Sequence, residues 1–193
     1  MDGKIRVKGS PEKALGFDLI ATLTTSMGGG YSPIEGKGSA PSPPQAPAFT
    51  CQAVEVEVDP DTGLVSIVDS VCAQDVGFAM NPLLVEGQIQ GGVTQSLSIG
   101  FSEEMQFDEK GILRNPSLLD YRMPTALDVP RILPIIVEVP SRDPLYGVRG
   151  VGEPPIVAGA AAVANAIANA VGARVAQVPA TAERILRALG KVE

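Results

Sequence analysis

AVEVEVDPDTGLVSIVDSV, residues 53–71, alternates up to its turn: Val54, Val56 and Val58 fall on one side, Glu55 and Glu57 on the other. A period of two with one apolar side is the pattern of a strand with one buried face. Asp59-Pro60-Asp61-Thr62-Gly63 has turn chemistry, with Pro fixing φ early and Gly supplying positive φ. Val65 and Ile67 can then share the face of Val58 and Val56, so the stretch predicts a hairpin. This register sets Cys51 across from Cys72, near enough for a disulfide. A slip of one residue would separate them, and a reducing compartment would leave two satisfied core thiols, the simpler reading.

Downstream, NPLLVEGQIQGGVTQSLSIGFSEE (81–104) offers Asn81 as a cap and Pro82 at the first helical position. A helix is expected from Leu83 to about Phe101 despite Gly87, Gly91, Gly92 and Gly100. Each interior glycine costs roughly 1 kcal/mol against alanine, so this many predict close approach of something to the helix backbone. EMQFDEKGILRN (104–115) reads as a second hairpin turning at Asp108–Gly111, and RILPIIVEVP (131–140) as a strand from about Leu133 to Val139. A helix from about Pro155 to Val171 and an amphipathic helix from Thr181 to Leu189 follow.

Upstream, Lys4–Lys8 reads as a strand, followed by a turn and a helix near Phe17–Thr25. MGGGYSPIEGKGSAPSPPQAP (27–47) is a Gly/Pro/Ser-rich connecting arm whose ordering needs a surface to lie on. The chain thus divides into residues 1–48 and a globular part, 49–193. Strands and helices mix without a regular βαβ period or an internal repeat, which gives the class α+β.

The 193 residues carry a formal net charge of -7 and no histidine, with scattered basic residues. Nucleic-acid binding and attachment to an anionic membrane are therefore not expected. Without histidine, acid–base chemistry near neutral pH falls to a carboxylate, Cys, Lys or Tyr. Two cysteines cannot ligate a [2Fe–2S] cluster or build a Cys-rich zinc site, and no protein metal ligands are expected. The opening MDGKIRVKGSPEK has no apolar run, so no signal peptide is expected. The uncharged run from Pro154 to Ala173 is long enough to raise the membrane question. It is Ala-rich and carries Asn165 and Asn169, which favours a buried helix. The expected compartment is the cytoplasm.

GVRGVGEPPIVAGAAAVANAIANAVG (147–172) holds a single acidic residue, Glu153. A residue before proline is pushed out of the α region, so Glu153 is expected to be extended, with its carboxylate at or just ahead of a helix N-terminus. Negative charge is favoured there. Gly150 and Gly152 leave the preceding backbone unshielded. Such a carboxylate can serve as a base held against a bound ligand or simply cap the next helix, and residue chemistry alone leaves both open.

The stretch GVRGVGEPPIVAGAAAVANAI (147–167) resembles the closing segment of the molybdenum hydroxylases, the xanthine oxidase and aldehyde oxidoreductase family. The resemblance extends upstream through VEVEVDPDTGLVSIVDSVCAQDVGFAMNPLLVEGQIQGGVTQSLSIGFSEE (54–104) and NPSLLDYRMPTALDVP (115–130). It covers about residues 49–189 in order, with residues 1–48 resembling the weaker joining segment. It implies a fold like the C-terminal half of the molybdopterin-binding domain, and it assigns Glu153 as the active-site base. Gln88, in the GQxxGG stretch, and Gly152 would contact the molybdopterin, with Gly87, Gly91 and Gly92 admitting the cofactor or a neighbouring element. Gln90 and Gln95 are read as structural, Asp75-Val76-Gly77 and Asn81-Pro82 as turn and cap, and Tyr121 and Asp128 as fixing the loop before the last strand.

The implied activity is oxidative hydroxylation of an aldehyde, N-heterocycle or related carbon centre, with water as the oxygen source. The molybdopterin would be shared with an upstream part of the molybdenum subunit, which this chain lacks and which would set the substrate. [2Fe–2S] and FAD are expected on partner subunits, an iron–sulfur and a flavin subunit, in a hetero-oligomer, with the arm from Met27 to Pro47 draped over a partner. The alternative is a non-catalytic fragment that serves as an assembly or interaction module.

Overall fold

The computed structural model describes residues 3–25, 31–39, 45–142 and 145–193. Contacts divide the chain into two compact units, Met1–Ser42 and Pro43–Glu193.

In the first unit, β1 (Lys4–Val7) and β2 (Ser10–Gly16) form an antiparallel ribbon and α1 spans Phe17–Thr25. The sequence pattern points to β1 and α1 but not to β2, because SPEKALG has no apolar alternation. Its partner is the backbone of β1, which needs no such signal. Of the Gly/Pro/Ser-rich arm, residues 31–39 and 45–47 have neither helix nor strand, and the rest lies outside the described residues.

The second unit is built on a three-stranded sheet in the order β3 (Phe49–Val58), β4 (Val65–Asp75), β5 (Arg131–Val137). β3 and β4 form the expected hairpin, with Gly63 at φ 73° in its turn. β5 runs parallel to β4 and carries Pro134 on the outer edge of the sheet, where a missing N–H costs no ladder bond. A parallel pair needs a crossover, and α2 (Pro82–Phe101) supplies it. Asn81 Oδ1 accepts the Leu84 N–H at 3.2 Å, and Pro82 opens the helix. α2 lies against β5 and α4 (Gly159–Val171), and α4 lies against β3. Cys72, Ile89, Val93, Leu97, Val163 and Ile167 form the centre of the core, all buried, with Ile185 of α5 (Ala182–Ala188) closing one end.

One register shift departs from the alternation. Val54 faces Ser70 and Glu55 faces Asp69, but Val56 faces Ile67, so Val68 is an extra residue in a bulge. A bulge shifts everything beyond it by one. Cys51 therefore faces Ala73, while Gln52 faces Cys72. The expected Cys51–Cys72 register is wrong for this reason. Both are free thiols, and only Cys72 is a core thiol, since Cys51 is exposed.

The second expected hairpin, 104–115, reduces to its turn and a single bridge between Phe107 and Leu113. Asn115 takes over the pairing, its side chain accepting from Gln106 N and donating to Glu104 O. The helix expected from Pro155 is in two pieces, α3 (Pro154–Val157) and α4, separated at Ala158. The span Pro154–Val171 is apolar and long enough to cross a membrane by composition. It is broken at Ala158, and 22% of the span is buried: Pro155, Gly159, Val163 and Ile167 form one stripe against the core, and the other residues are partly or fully exposed.

Candidate functional site

The site begins where β4 ends. Asp75 Oδ1 accepts from Gly77 N at 3.0 Å and Val139 N at 3.2 Å, while Oδ2 pairs with Arg149 Nε at 3.0 Å. Both side chains of that pair are nearly buried. Arg149 also donates to the carbonyls of Val139 and Pro47, and its own N–H bonds Val76 O at 2.9 Å. Three loops are thus tied at one ion pair. Gly77 sits at φ 71°, and a Cβ there would stand 2.1 Å from Gly147 O, so only glycine lets the two loops meet. The Asp75-Val76-Gly77 turn therefore has a structural function.

Arg149 leads into Gly150-Val151-Gly152 and Glu153. Glu153 is not extended: its φ of -95° and ψ of -33° are helical. The pre-proline preference is overridden because Glu153 O accepts the Ile156 N–H at 3.0 Å, closing the first turn of α3. Its side chain makes no capping bond. The carboxylate is exposed and has no hydrogen-bond or ion-pair partner among the described residues. It borders an open depression of about 640 Å³ with Ala46, Phe49, Thr50, Gly152 and Val157.

Gln88 lies beside it on α2. Its Oε1 is 3.6 Å from the position a Cβ on Gly152 would take. It lines a second depression, of about 260 Å³, with Phe78, Met80, Leu84, Arg149 and Val151. Side chains added at Gly87 or Gly91 would meet nothing within 4 Å, whereas a Cβ on Gly92 would stand 2.7 Å from Pro155 Cβ. The α2 glycines thus divide. Gly92 admits α3, while Gly87 and Gly91 leave the helix backbone bare around Gln88. The sequence-derived candidates Gln88, Gly152 and Glu153 meet at one rim, although Gln88 lies on another element from the other two.

Two residues under the rim have no counterpart among the sequence-derived candidates. Gln52 Nε2 donates to Pro155 O, and Gln74 Nε2 donates to Gly150 O at 3.3 Å and Val151 O at 3.5 Å. The available signal was an amide set among core-facing residues of a strand.

Tyr121 and Asp128 stand apart from this rim and hold their loop. Tyr121 Oη donates to Glu103 at 2.8 Å, which raises the phenol above its usual pKa, with burial adding to the effect. Asp128 accepts from Thr125 Oγ1 and Thr125 N at 2.7 Å, which holds its carboxyl below the usual range. Among the described residues, no cluster of three Cys, Asp or Glu could hold a metal.

Comparison with known proteins bears on the class. A family model described as a molybdopterin cofactor-binding domain matches residues 1–130. The chain is 36% identical over 173 residues to the xanthine dehydrogenase molybdenum-binding subunit of Escherichia coli O157:H7, covering 86% of this chain and 23% of that protein. It is 39% identical over 139 residues to the nicotine 6-hydroxylase large subunit of Paenarthrobacter nicotinovorans, covering 70% and 17%. Among solved structures, reconstituted CO dehydrogenase from Oligotropha carboxidovorans superposes with a TM-score of 0.79 at 27% identity, over 98% of this chain and 24% of that one.

Fold and matches together define a molybdopterin cofactor-binding domain of the α+β class. The chain belongs to the molybdenum hydroxylase family. It spans about a quarter or less of the length of these relatives.

The rim fits the molybdopterin group. Gln88 offers two donors and an acceptor suited to a pterin edge, the backbone at Gly87 and Gly91 is open to close approach, and Glu153 has an unengaged carboxylate.

Proposed function

We propose that this chain is part of the molybdenum subunit of a hydroxylase, in which Glu153 is the general base and Gln88 and Gly152 form one wall of the molybdopterin site. The reaction is oxidative hydroxylation of an aldehyde, N-heterocycle or related carbon centre, with water as the oxygen source. The observation that carries this reading is an exposed carboxylate without a protein partner, on the same rim as an exposed amide and bare helix backbone. When bound, the molybdenum centre supplies the two-electron oxidation and acidifies water.

Gln88 orients the pterin through its amide, and Gly152 keeps the wall low enough for that amide to reach over it. Glu153 accepts the proton released as oxygen is delivered to carbon. Its placement by the ion-paired loop, not by a bond to its own carboxylate, leaves both carboxylate oxygens available. The remainder of the molybdenum subunit covers the bare face of α2 and sets substrate choice. Iron–sulfur and flavin subunits carry the electrons onward, and the assembly is cytoplasmic.

The test is metal and pterin analysis of the purified molybdenum subunit carrying this segment, in wild-type form and as Gln88→Ala. Cofactor content should fall severalfold while the melting temperature stays within about 2 °C, since an exposed helix position contributes little to stability. Full cofactor content in Gln88→Ala would remove Gln88 from the site. A wild-type assembly free of molybdenum would favour a non-catalytic assembly module.

A further inference from the structure

Beneath Glu153 two side-chain amides come up from adjacent sheet strands. Gln52, on β3, donates through Nε2 to Pro155 O, on the C-terminal side of Glu153. Gln74, on β4 and completely buried, donates to the carbonyls of Gly150 and Val151 on its N-terminal side. The three carbonyls bracket Glu153, and the two strands are neighbours in one sheet.

Neither amide is well accommodated otherwise. Gln52 Oε1 and Gln74 Oε1 are buried and lack hydrogen-bond partners among the described residues. A stranded buried acceptor is unfavourable, and a thioether or alkyl side chain of the same volume would avoid it. Gln52 Nε2 also reaches Cys72 Sγ at 3.7 Å, and the core there combines apolar side chains with the buried hydroxyls of Ser70 and Ser96, neither of which pairs with the two stranded oxygens. Their presence is therefore not explained by stability. What they provide is a hold on the Gly150–Pro155 turn, in which the Glu153 side chain makes no capping bond of its own.

We infer that Gln52 and Gln74 are positioning residues that fix the Glu153 carboxylate by clamping the backbone carbonyls on either side of it. The inference rests on Glu153 being the base. A base must be kept within hydrogen-bond reach of the proton it takes, and a carboxylate on an unclamped glycine-rich turn would sample many positions. Glycines at 150 and 152 make the approach to Glu153 permissive, and the two amides remove that freedom from below. The Arg149–Asp75 pair anchors the turn only where it begins.

The test uses the full molybdenum subunit with Gln74→Met and, separately, Gln52→Met, both near-isosteric and free of a stranded acceptor. Hydrogen exchange is the primary readout. The two hydrogen-bonded amides of the turn, Arg149 and Ile156, should exchange about tenfold faster, as loss of one or two ordinary hydrogen bonds allows. Those of β3, β4 and α2 should be unchanged, the melting temperature should not fall and molybdenum content should be retained. Turnover should drop about tenfold or more in each variant, with KM little changed. In a Glu153→Gln background the same substitutions should cost nothing further.

If the melting temperature falls and exchange rises throughout the sheet, the glutamines are structural. Unchanged exchange at the turn overturns the clamp even if turnover is lost. If Glu153→Gln alone keeps full turnover, the base assignment fails, while the exchange data still decide whether the amides hold the turn.

Discussion

Gln88 Oε1 stands 3.6 Å from the point where a Cβ on Gly152 would sit, so the helix that crosses over the sheet and the turn that carries Glu153 share one rim. A methyl group at that distance is an ordinary contact, and a branched side chain is not. Gly152→Ala should retain molybdenum and pterin, whereas Gly152→Val should push the amide aside and lower cofactor content severalfold. Metal and pterin analysis of the two purified subunits distinguishes them, and equal, full content in both would detach this rim from the cofactor.

The α2 glycines should respond with opposite signs. A Cβ on Gly92 would stand 2.7 Å from Pro155 Cβ and 3.1 Å from Pro155 Cγ, and Pro155 is fully buried. Gly92→Ala should therefore destabilise by about 1–3 kcal/mol, the usual range for overpacking. Gly91→Ala meets nothing within 4 Å and should stabilise this segment by up to about 1 kcal/mol through helix propensity. In the assembled subunit Gly91→Ala should instead impair cofactor retention or assembly. Urea denaturation measures the first two effects.

Arg149→Met would leave Asp75 nearly buried without its cation. Breaking such a pair costs about 3–5 kcal/mol. The two backbone N–H groups on Asp75 Oδ1 remain, which places the expected loss near the lower end. Chemical denaturation should give about 3 kcal/mol; a loss below about 1 kcal/mol would mean that the loops are held by other contacts.

Acid should weaken the sheet edge. Asp69 accepts two bonds from Arg131, across β4 and β5, which holds its carboxyl below the usual 3.8. A depressed folded pKa contributes stability that is present above the unfolded value and lost as pH falls through the folded one. The loss should thus begin near pH 4 and continue below it. Asp69→Asn should flatten that limb, and because the pair is exposed the difference should shrink with added salt. A limb unchanged in Asp69→Asn would assign it to other carboxylates.

The β3–β4 hairpin was legible because Val54, Val56 and Val58 alternate against Glu55 and Glu57 and a Pro–Gly turn follows. The bulge at Val68 was not. Strict alternation from Val65 and Ile67 would put residues 69, 71 and 73 in the core, whereas the core-facing residues are Ser70, Cys72 and Gln74. That single inserted residue separates Cys51 from Cys72 and turns Gln74 inward beneath the site. The break between α3 and α4 was equally hidden. A Cβ on Gly159 would stand 1.9 Å from Ser96 Oγ, a contact between elements distant in sequence. Gln88, Gly152 and Glu153 were singled out through motif resemblance, and the fold brings Gln88 within reach of Gly152, the neighbour of Glu153 in the chain. The amides and the ion pair that hold the turn come from β3 and β4, and no local pattern around Glu153 encodes them.

The most direct measurement is turnover of Glu153→Gln in the assembled enzyme, with molybdenum and pterin quantified in the same preparation. The substitution keeps the shape of the side chain and removes its ability to take a proton. Cofactor content should match wild type while turnover falls by about 10²–10⁴-fold, the contribution of a positioned general base. Turnover within about tenfold of wild type at full molybdenum occupancy would contradict the assignment of Glu153 as the base.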